Sequence, residues 1–364
     1  MNTKTAKLLK KYRSLYPPEK IQGLENEYLR LWNGDPTERI HYIYCCLSSY
    51  WEPNPLWMYE KETRLDFLLQ TFIDRAGLQE DFIPSLFPDD RIGVFASLFG
   101  CQVQQEDNQH CWVKPVVQTP SDVYHLRPDF NAPLIKNLFE TIEYFIEQTE
   151  GVIPVNICDP QGPLSSASLI WNYEDLLLAF YDHPKEVKYL LNLITENLII
   201  FFQKIFRVAC NKVNPIHCHP DAWMPRDKGV ALSDDMMAVT SPEIYEEFIM
   251  PYHQKIADAL SGVFLHSCGD FSHNISQVKK INGFRGIHAG QMPLDEVLEK
   301  FCYNPDYFYI ATLPQGYYQS ESGFQTLESV LEKTRGRAPF LLMIESKNGF
   351  QQAQTIDPWL SHIV

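Results

Sequence analysis

Gly262-Val263-Phe264-Leu265-His266-Ser267-Cys268-Gly269-Asp270 is the stretch that decides how this chain is read. Its apolar first half has the length and composition of a buried strand, and strand side chains alternate between faces. His266 and Cys268 therefore point the same way and Ser267 the other. An imidazole nitrogen and a thiolate sulfur converging on one point suit Zn²⁺, and Gly269 permits a tight turn that leaves the site open at the strand's carboxyl end. The ordinary alternative is a buried cysteine beside a hydrogen-bonded histidine, so the surrounding sequence has to decide.

Short β-rich runs recur around this stretch: Ile92 to Phe99, Val152 to Cys158, Asn214 to His219, Gly229 to Leu232, Gly262 to Cys268, Phe284 to Ala289, Tyr307 to Leu313 and Pro339 to Ile344. Amphipathic helices separate several of them. Pro184 to Val208 places Val187, Leu190, Leu191, Ile194, Leu198, Phe201, Ile205 and Val208 at helical spacing, after a proline at a first-turn position. A second helix starts at the N-cap Ser241, carries Pro242 and the acids Glu243, Glu246 and Glu247 early, and sets Ile244, Phe248, Tyr252 and Ile256 on one face, with a kink expected at Pro251. Strand and helix in alternation imply a parallel sheet under helices, and eight strands make a closed (β/α)8 TIM barrel the economical arrangement. Residues 1–88 read as a helical N-terminal extension packed on that barrel, and residues 89–364 as the barrel itself. Gln102 to Gln109 followed by Cys111 to Val117 reads as a hairpin excursion.

At the carboxyl ends of these strands the polar residues collect, where a barrel enzyme keeps its chemistry. His217 and His219 end one strand and share a face. Asp234 and Asp235 follow the next, His288 lies near the end of another, and the last runs into Glu345-Ser346-Lys347. Asp159-Pro160-Gln161-Gly162-Pro163 forms a rigid loop after the Val152 to Cys158 strand. Each residue has an ordinary explanation in a backbone hydrogen bond, a cap or a surface pair. Their common location favours a site, with Asp159, Gly162 and His288 as candidate cofactor-binding residues.

Composition sets outer limits. The chain has 364 residues, 45% hydrophobic and 21% charged, with a formal net charge of −15, which opposes phosphate backbones and anionic lipids as partners. No nucleic acid and no membrane is expected. Nine dispersed cysteines lack the spacing of a disulfide framework and fit a reducing, cytoplasmic setting. The apolar run from Leu190 to Phe202 is interrupted by Asn192, Thr195, Glu196 and Asn197, and the basic start, Met1 to Leu15, reads as a surface helix.

Leu232-Ser233-Asp234-Asp235-Met236-Met237, Ser241-Pro242-Glu243-Ile244-Tyr245-Glu246-Glu247-Phe248-Ile249-Met250-Pro251-Tyr252 and Phe264 to Asp270 together resemble the uroporphyrinogen decarboxylase superfamily. Within it they are most similar to the corrinoid-dependent methyltransferases. Phe95 to Cys101 and Asp159 to Leu164 extend the resemblance, which covers about Arg91 to Gly349. It implies a (β/α)8 barrel whose mouth takes a tetrapyrrole or corrinoid, and a zinc that binds and activates a thiol, with His266 and Cys268 as ligands. The expected partners are a corrinoid protein or free cobamide as methyl donor and a small thiol as acceptor. Two departures stand out. The methyltransferases that use coenzyme M take a further cysteine ligand from the last strand region, whereas this chain has none after Cys302; Glu345 stands near that place, with His217, His219, Asp234 and His288 as other candidates. The decarboxylases carry paired amino-terminal arginines that read substrate carboxylates, and here only Arg39 is near. Methyl transfer is therefore the leading expectation, with Asp234, Asp235, His217 and His219 as candidate catalytic residues. Uroporphyrinogen decarboxylation in porphyrin biosynthesis is the alternative, and a non-catalytic tetrapyrrole or corrinoid binder the third.

Overall fold

A computed structural model describes residues 2–36, 39–45, 60–89, 91–105, 111–216, 222–290, 292–313, 332 and 339–346. Eight parallel strands form the barrel among them: β1 (His41–Cys45), β4 (Val155–Asn156), β5 (Val213–Asn214), β6 (Val230–Ser233), β7 (Val263–Ser267), β8 (Phe284–Ala289), β9 (Phe308–Leu313) and β10 (Phe340–Glu345). β2 (Gln102–Gln105) and β3 (Cys111–Lys114) make the separate antiparallel hairpin read from the sequence. Six strands run in the order β1-β10-β9-β8-β7-β6, and β4 pairs with β5. Ala231 N donates to Pro215 O at 2.9 Å, joining β6 to β5. Leu86 bridges in parallel to Val155, and Asp81 N donates to Tyr42 O at 2.8 Å, so residues 81–86 span from β4 back to β1 and complete the circle.

The helices are α1 (Thr3–Leu15), α2 (Pro18–Trp32), α3 (Lys61–Arg75), α4 (Pro133–Thr149), α5 (Pro163–Ile170), α6 (Tyr173–Asp182), α7 (Pro184–Val208), α8 (Pro242–Phe248), α9 (Met250–Leu260), α10 (Ile275–Val278) and α11 (Leu294–Lys300). By length and composition α7 is apolar enough to cross a membrane, yet 56% of its most apolar window is buried in the protein. Its stripe Val187, Leu190, Leu191, Ile194, Leu198, Phe201 and Ile205 is fully covered, with α5, α6 and α9 among its neighbours. The hydrophobicity of this helix is thus accounted for by core packing.

Two readings of the sequence change. The Ile92 to Phe99 run is not a strand: it forms turns and a 3-10 helix, Ala96–Phe99, ended by Gly100 at φ 90°. Val94, Phe95, Ala96, Leu98 and Phe99 are all buried, and a short apolar run buried on every side has no period to separate strand from helix. The first stave instead lies inside residues 1–88. His41-Tyr-Ile-Tyr-Cys45 is buried throughout and pairs with β10 from His41↔Leu341 to Cys45↔Glu345, so this segment contributes to the barrel wall as well as covering it with α1 and α3. The α8–α9 break falls at Ile249, where Pro251 removes a helical donor.

One irregularity bears on the site. Val263 pairs with Phe284 but the next residue, Phe264, pairs with Gly286, leaving Arg285 as an extra residue in β8. Beyond this bulge His266 lies opposite His288. Gly286 has φ 147°, and a Cβ there would lie 1.9 Å from Phe308 O, so no other residue fits between β8 and β9.

Candidate metal centre

β6, β7 and β8 lie side by side and end level, with Ser233 opposite His266 and His266 opposite His288. His266 Nε2 is 3.3 Å from Cys268 Sγ, the convergence expected of alternate residues at the end of a strand. The two imidazoles stack with centroids 4.5 Å apart, and His288 Nε2 is 2.9 Å from Thr312 Oγ1 on β9. Gly269 owes its place to space, since a Cβ would lie 2.6 Å from Ala238 Cβ.

Asp235 opens the 3-10 turn Asp235–Ala238 after β6, and its Oδ1 accepts Cys268 N at 2.6 Å. One ligand atom each from Asp235, His266 and Cys268 lies within 4.8 Å of the others. Glu345 is elsewhere: it ends β10, opposite Cys45, three strands from β7 in the sheet order, and is not part of this group. Among the described residues, Asp235 is the carboxylate grouped with His266 and Cys268. Adjacency along the sheet is the signal that would have found it, because β6 borders β7. His217 and His219 lie outside the described residues.

Asp159 is close enough to this group for its charge to act on both Asp235 and Cys268. Its Oδ2 accepts Gln161 Nε2 at 2.8 Å and its Oδ1 accepts Gln161 N at 3.2 Å, and Gln161 is held in the left-handed region at φ 62°. Such a conformation costs free energy in a residue with a side chain and concentrates at functional sites. Burial, with the negative charge of Asp235 adding, pushes the Asp159 carboxyl up to about 7, against opposing hydrogen bonds from Gln161 and Ser233. Burial of the sulfur, then the charge and hydrogen bond of Asp235 and the charge of Asp159, push the Cys268 thiol up to about 12. An oxygen, a nitrogen and a sulfur donor from three protein residues, whose charges oppose one another until a cation joins them, fit a zinc site with one position left for substrate.

The other two candidates have structural tasks. Asp234 is fully buried, and its carboxylate accepts Ser165 N at 2.7 Å, Leu164 N at 3.4 Å and His253 Nε2 at 2.9 Å. Gly162 donates its N–H to Ser233 O at 2.5 Å, and a Cβ on it would lie 2.6 Å from the Asp234 carboxyl. His253 and Tyr245, which the sequence reading passed over, belong with Asp234. Their signal was a buried polar pair eight residues apart on a helical face.

Residues 88–224 match the family model of uroporphyrinogen decarboxylase (URO-D). Over this segment the chain is similar to uroporphyrinogen decarboxylase. The matched segment holds the Asp159–Gly162 loop and ends before Asp235, His266 and Cys268. No curated protein matches the chain by sequence. A solved structure of a methyltransferase from Methanosarcina mazei is similar to it, with a TM-score of 0.63 and 13% identity, covering 93% of this chain and 98% of that one. At that identity the likeness establishes the shared barrel fold.

Arg39 is held in an ion pair with Asp81. It precedes β1 and so lies at the amino end of the barrel, where its guanidinium forms a two-pronged pair with Asp81, Nη1 to Oδ2 at 2.9 Å and Nη2 to Oδ1.

Proposed function

We propose that this chain is a cytoplasmic, zinc-dependent methyltransferase that moves a methyl group from a corrinoid, either free or carried by a partner protein, to a small thiol. The observation that carries the reading is the convergence of Asp235, His266 and Cys268 at the ends of β6 and β7. When bound, zinc lowers the pKa of a thiol acceptor so that it is a nucleophile at neutral pH.

The chain's own residues do the rest. Cys268, His266 and Asp235 bind the cation, and the stacked His288 with Thr312 fixes the plane of His266. Asp159, poised near neutrality, takes the proton that an incoming thiol gives up, at a carboxylate oxygen whose position Gln161 sets. The buried walls of β6 to β8 keep water from the far side of the donors.

The decarboxylase reading meets a physical obstacle. Uroporphyrinogen is ringed with carboxylates and requires cationic donors at the mouth. Arg39 is paired with Asp81 at the opposite end, and among the described residues the carboxylates of Asp159 and Asp235 lie beside the His266–Cys268 pair.

Two measurements test the proposal. Elemental analysis of the purified protein is expected to return about one zinc per chain. Anaerobic incubation of the zinc-loaded protein with methylcobalamin and a panel of thiols is expected to convert the methyl-cobalt spectrum to that of the reduced corrinoid. Carbon dioxide release from uroporphyrinogen with no thiol methylation would replace this reading with the decarboxylase.

A further inference from the structure

We infer that Tyr245, His253 and Asp234 form a buried positioning chain that sets where Asp235 stands against the His266–Cys268 pair, and through it how tightly the centre holds a cation. The second half of this inference rests on the metal reading of the site.

All three side chains are completely shielded from solvent. The Asp234 carboxylate can only accept, so His253 Nε2, 2.9 Å away, carries the proton. His253 Nδ1 is then an acceptor, and the Tyr245 hydroxyl at 3.0 Å donates to it. Burial keeps Tyr245 a neutral phenol. Each member thereby dictates the next across the α8–α9 break.

Asp234 passes this order to three elements. Its carboxylate receives the first N–H groups of α5, its backbone N–H donates to His266 O at 2.8 Å, and its Cβ side closes against Gly162. Ser165 Oγ in α5 in turn accepts Met236 N at 3.3 Å, so the turn that begins at Asp235 is pinned on both sides. Asp235 is the residue directly after Asp234, and its Oδ1 holds Cys268 N. A shift of Asp234 is therefore delivered to two of the three donor residues through Asp235 and to the third through the His266 backbone.

A network that served only to hold the fold together would lower stability when cut and leave the centre unchanged. The two roles separate in the full-length protein. Zinc affinity is read by competition with a chromophoric chelator, and in the metal-free protein the alkylation of Cys268 by iodoacetamide is read from its peptide by mass spectrometry. Asp234→Leu is expected to weaken zinc roughly 10- to 100-fold, the usual cost of losing a group that orients ligands, and to speed alkylation as Asp235 releases Cys268. Asp234→Asn is expected to restore near wild-type values on both counts. Its amide can donate to His253 Nε2, which leaves Nδ1–H to donate to the Tyr245 oxygen, so the chain runs in reverse and keeps the Ser165 N bond, losing only the longer Leu164 N contact to the same carboxylate oxygen. Tyr245→Phe and Gly162→Ala are milder cuts that carry the test should Asp234→Leu not fold. Loss of stability with zinc affinity and alkylation both unchanged overturns the inference. If wild-type protein binds no zinc, the metal reading fails with the second half of the inference, while alkylation still decides the first.

Discussion

Asp81→Asn at the closed end of the barrel probes how the wall is held shut. Asp81 is almost fully buried between β1 and residue 82, accepts Tyr42 N at 3.0 Å, pairs with Arg39, and lies 3.3 Å from His41 Nδ1. Burial alone would raise its carboxyl, but hydrogen bonds and charges from His41 and Arg39 reverse that and hold it at about 2, against an ordinary 3.8. A depression of nearly two units corresponds to about 2.5 kcal/mol of folding stability. Because the folded value is the lower one, this contribution is complete above about pH 4 and is lost as pH falls through 2. The amide keeps the Tyr42 bond and loses the charge. At pH 7 the variant is therefore expected to be less stable by about 2 to 3 kcal/mol in urea unfolding, and the gap between variant and wild type should shrink as pH falls from 5 to 2. Taking the difference between the two proteins cancels the other carboxylates. A gap that stays constant over this range, or a neutral substitution at pH 7, would refute the assignment of Arg39 and Asp81 as a structural pair.

Three further outcomes follow from the centre and the wall. Zinc is expected to be lost with His266→Ala or Cys268→Ala, weakened at least tenfold with Asp235→Asn and held within about threefold by Glu345→Gln, as read by elemental analysis and chelator competition; equal losses for Asp235 and Glu345 would reject the ligand set. Since Cys268 binds only as thiolate and its thiol is pushed up to about 12, zinc must displace its proton, so apparent affinity should climb roughly tenfold per pH unit between 6 and 8, and a flat profile would exclude the sulfur. Gly286→Ala, with its Cβ 1.9 Å from Phe308 O, should cost more than about 3 kcal/mol and appear as lost soluble yield, whereas Gly23→Ala, with open space around it, should be silent or slightly stabilising.

The barrel was legible where strands carry both a punctuated start and a buried apolar run. Gly262 to Cys268 and Phe284 to Ala289 appear as β7 and β8 within a residue or two. β1 was not legible, because its aromatic, five-residue run sits among prolines and helical segments and its partner, β10, is 300 residues away. Local pattern holds no information about that pairing. The site followed the same rule. His266 and Cys268 share one strand, so alternation alone brings them together. Asp235 comes from another strand, and choosing it over Glu345 requires knowing that β6 adjoins β7 while β10 does not. Tyr245 and His253 were hidden for a different reason: on a helix, a polar residue facing the core looks like an interruption of the apolar stripe until its partner is known.

The extra residue in β8 separates two jobs along the same strands. Upstream of Arg285 the wall pairs in one phase, and downstream it pairs in the phase that sets His288 beside His266. Without that offset Ile287 would meet His266 and His288 would turn toward the helices, since a one-residue slip inverts every side chain. The amino halves of β7 and β8 can thus drift in sequence as any packed wall does, while the carboxyl halves keep their alignment through a single mechanical joint. A designer wishing to transplant this centre into another parallel barrel would need to carry over the joint, Arg285 and Gly286 together, and not the ligands alone.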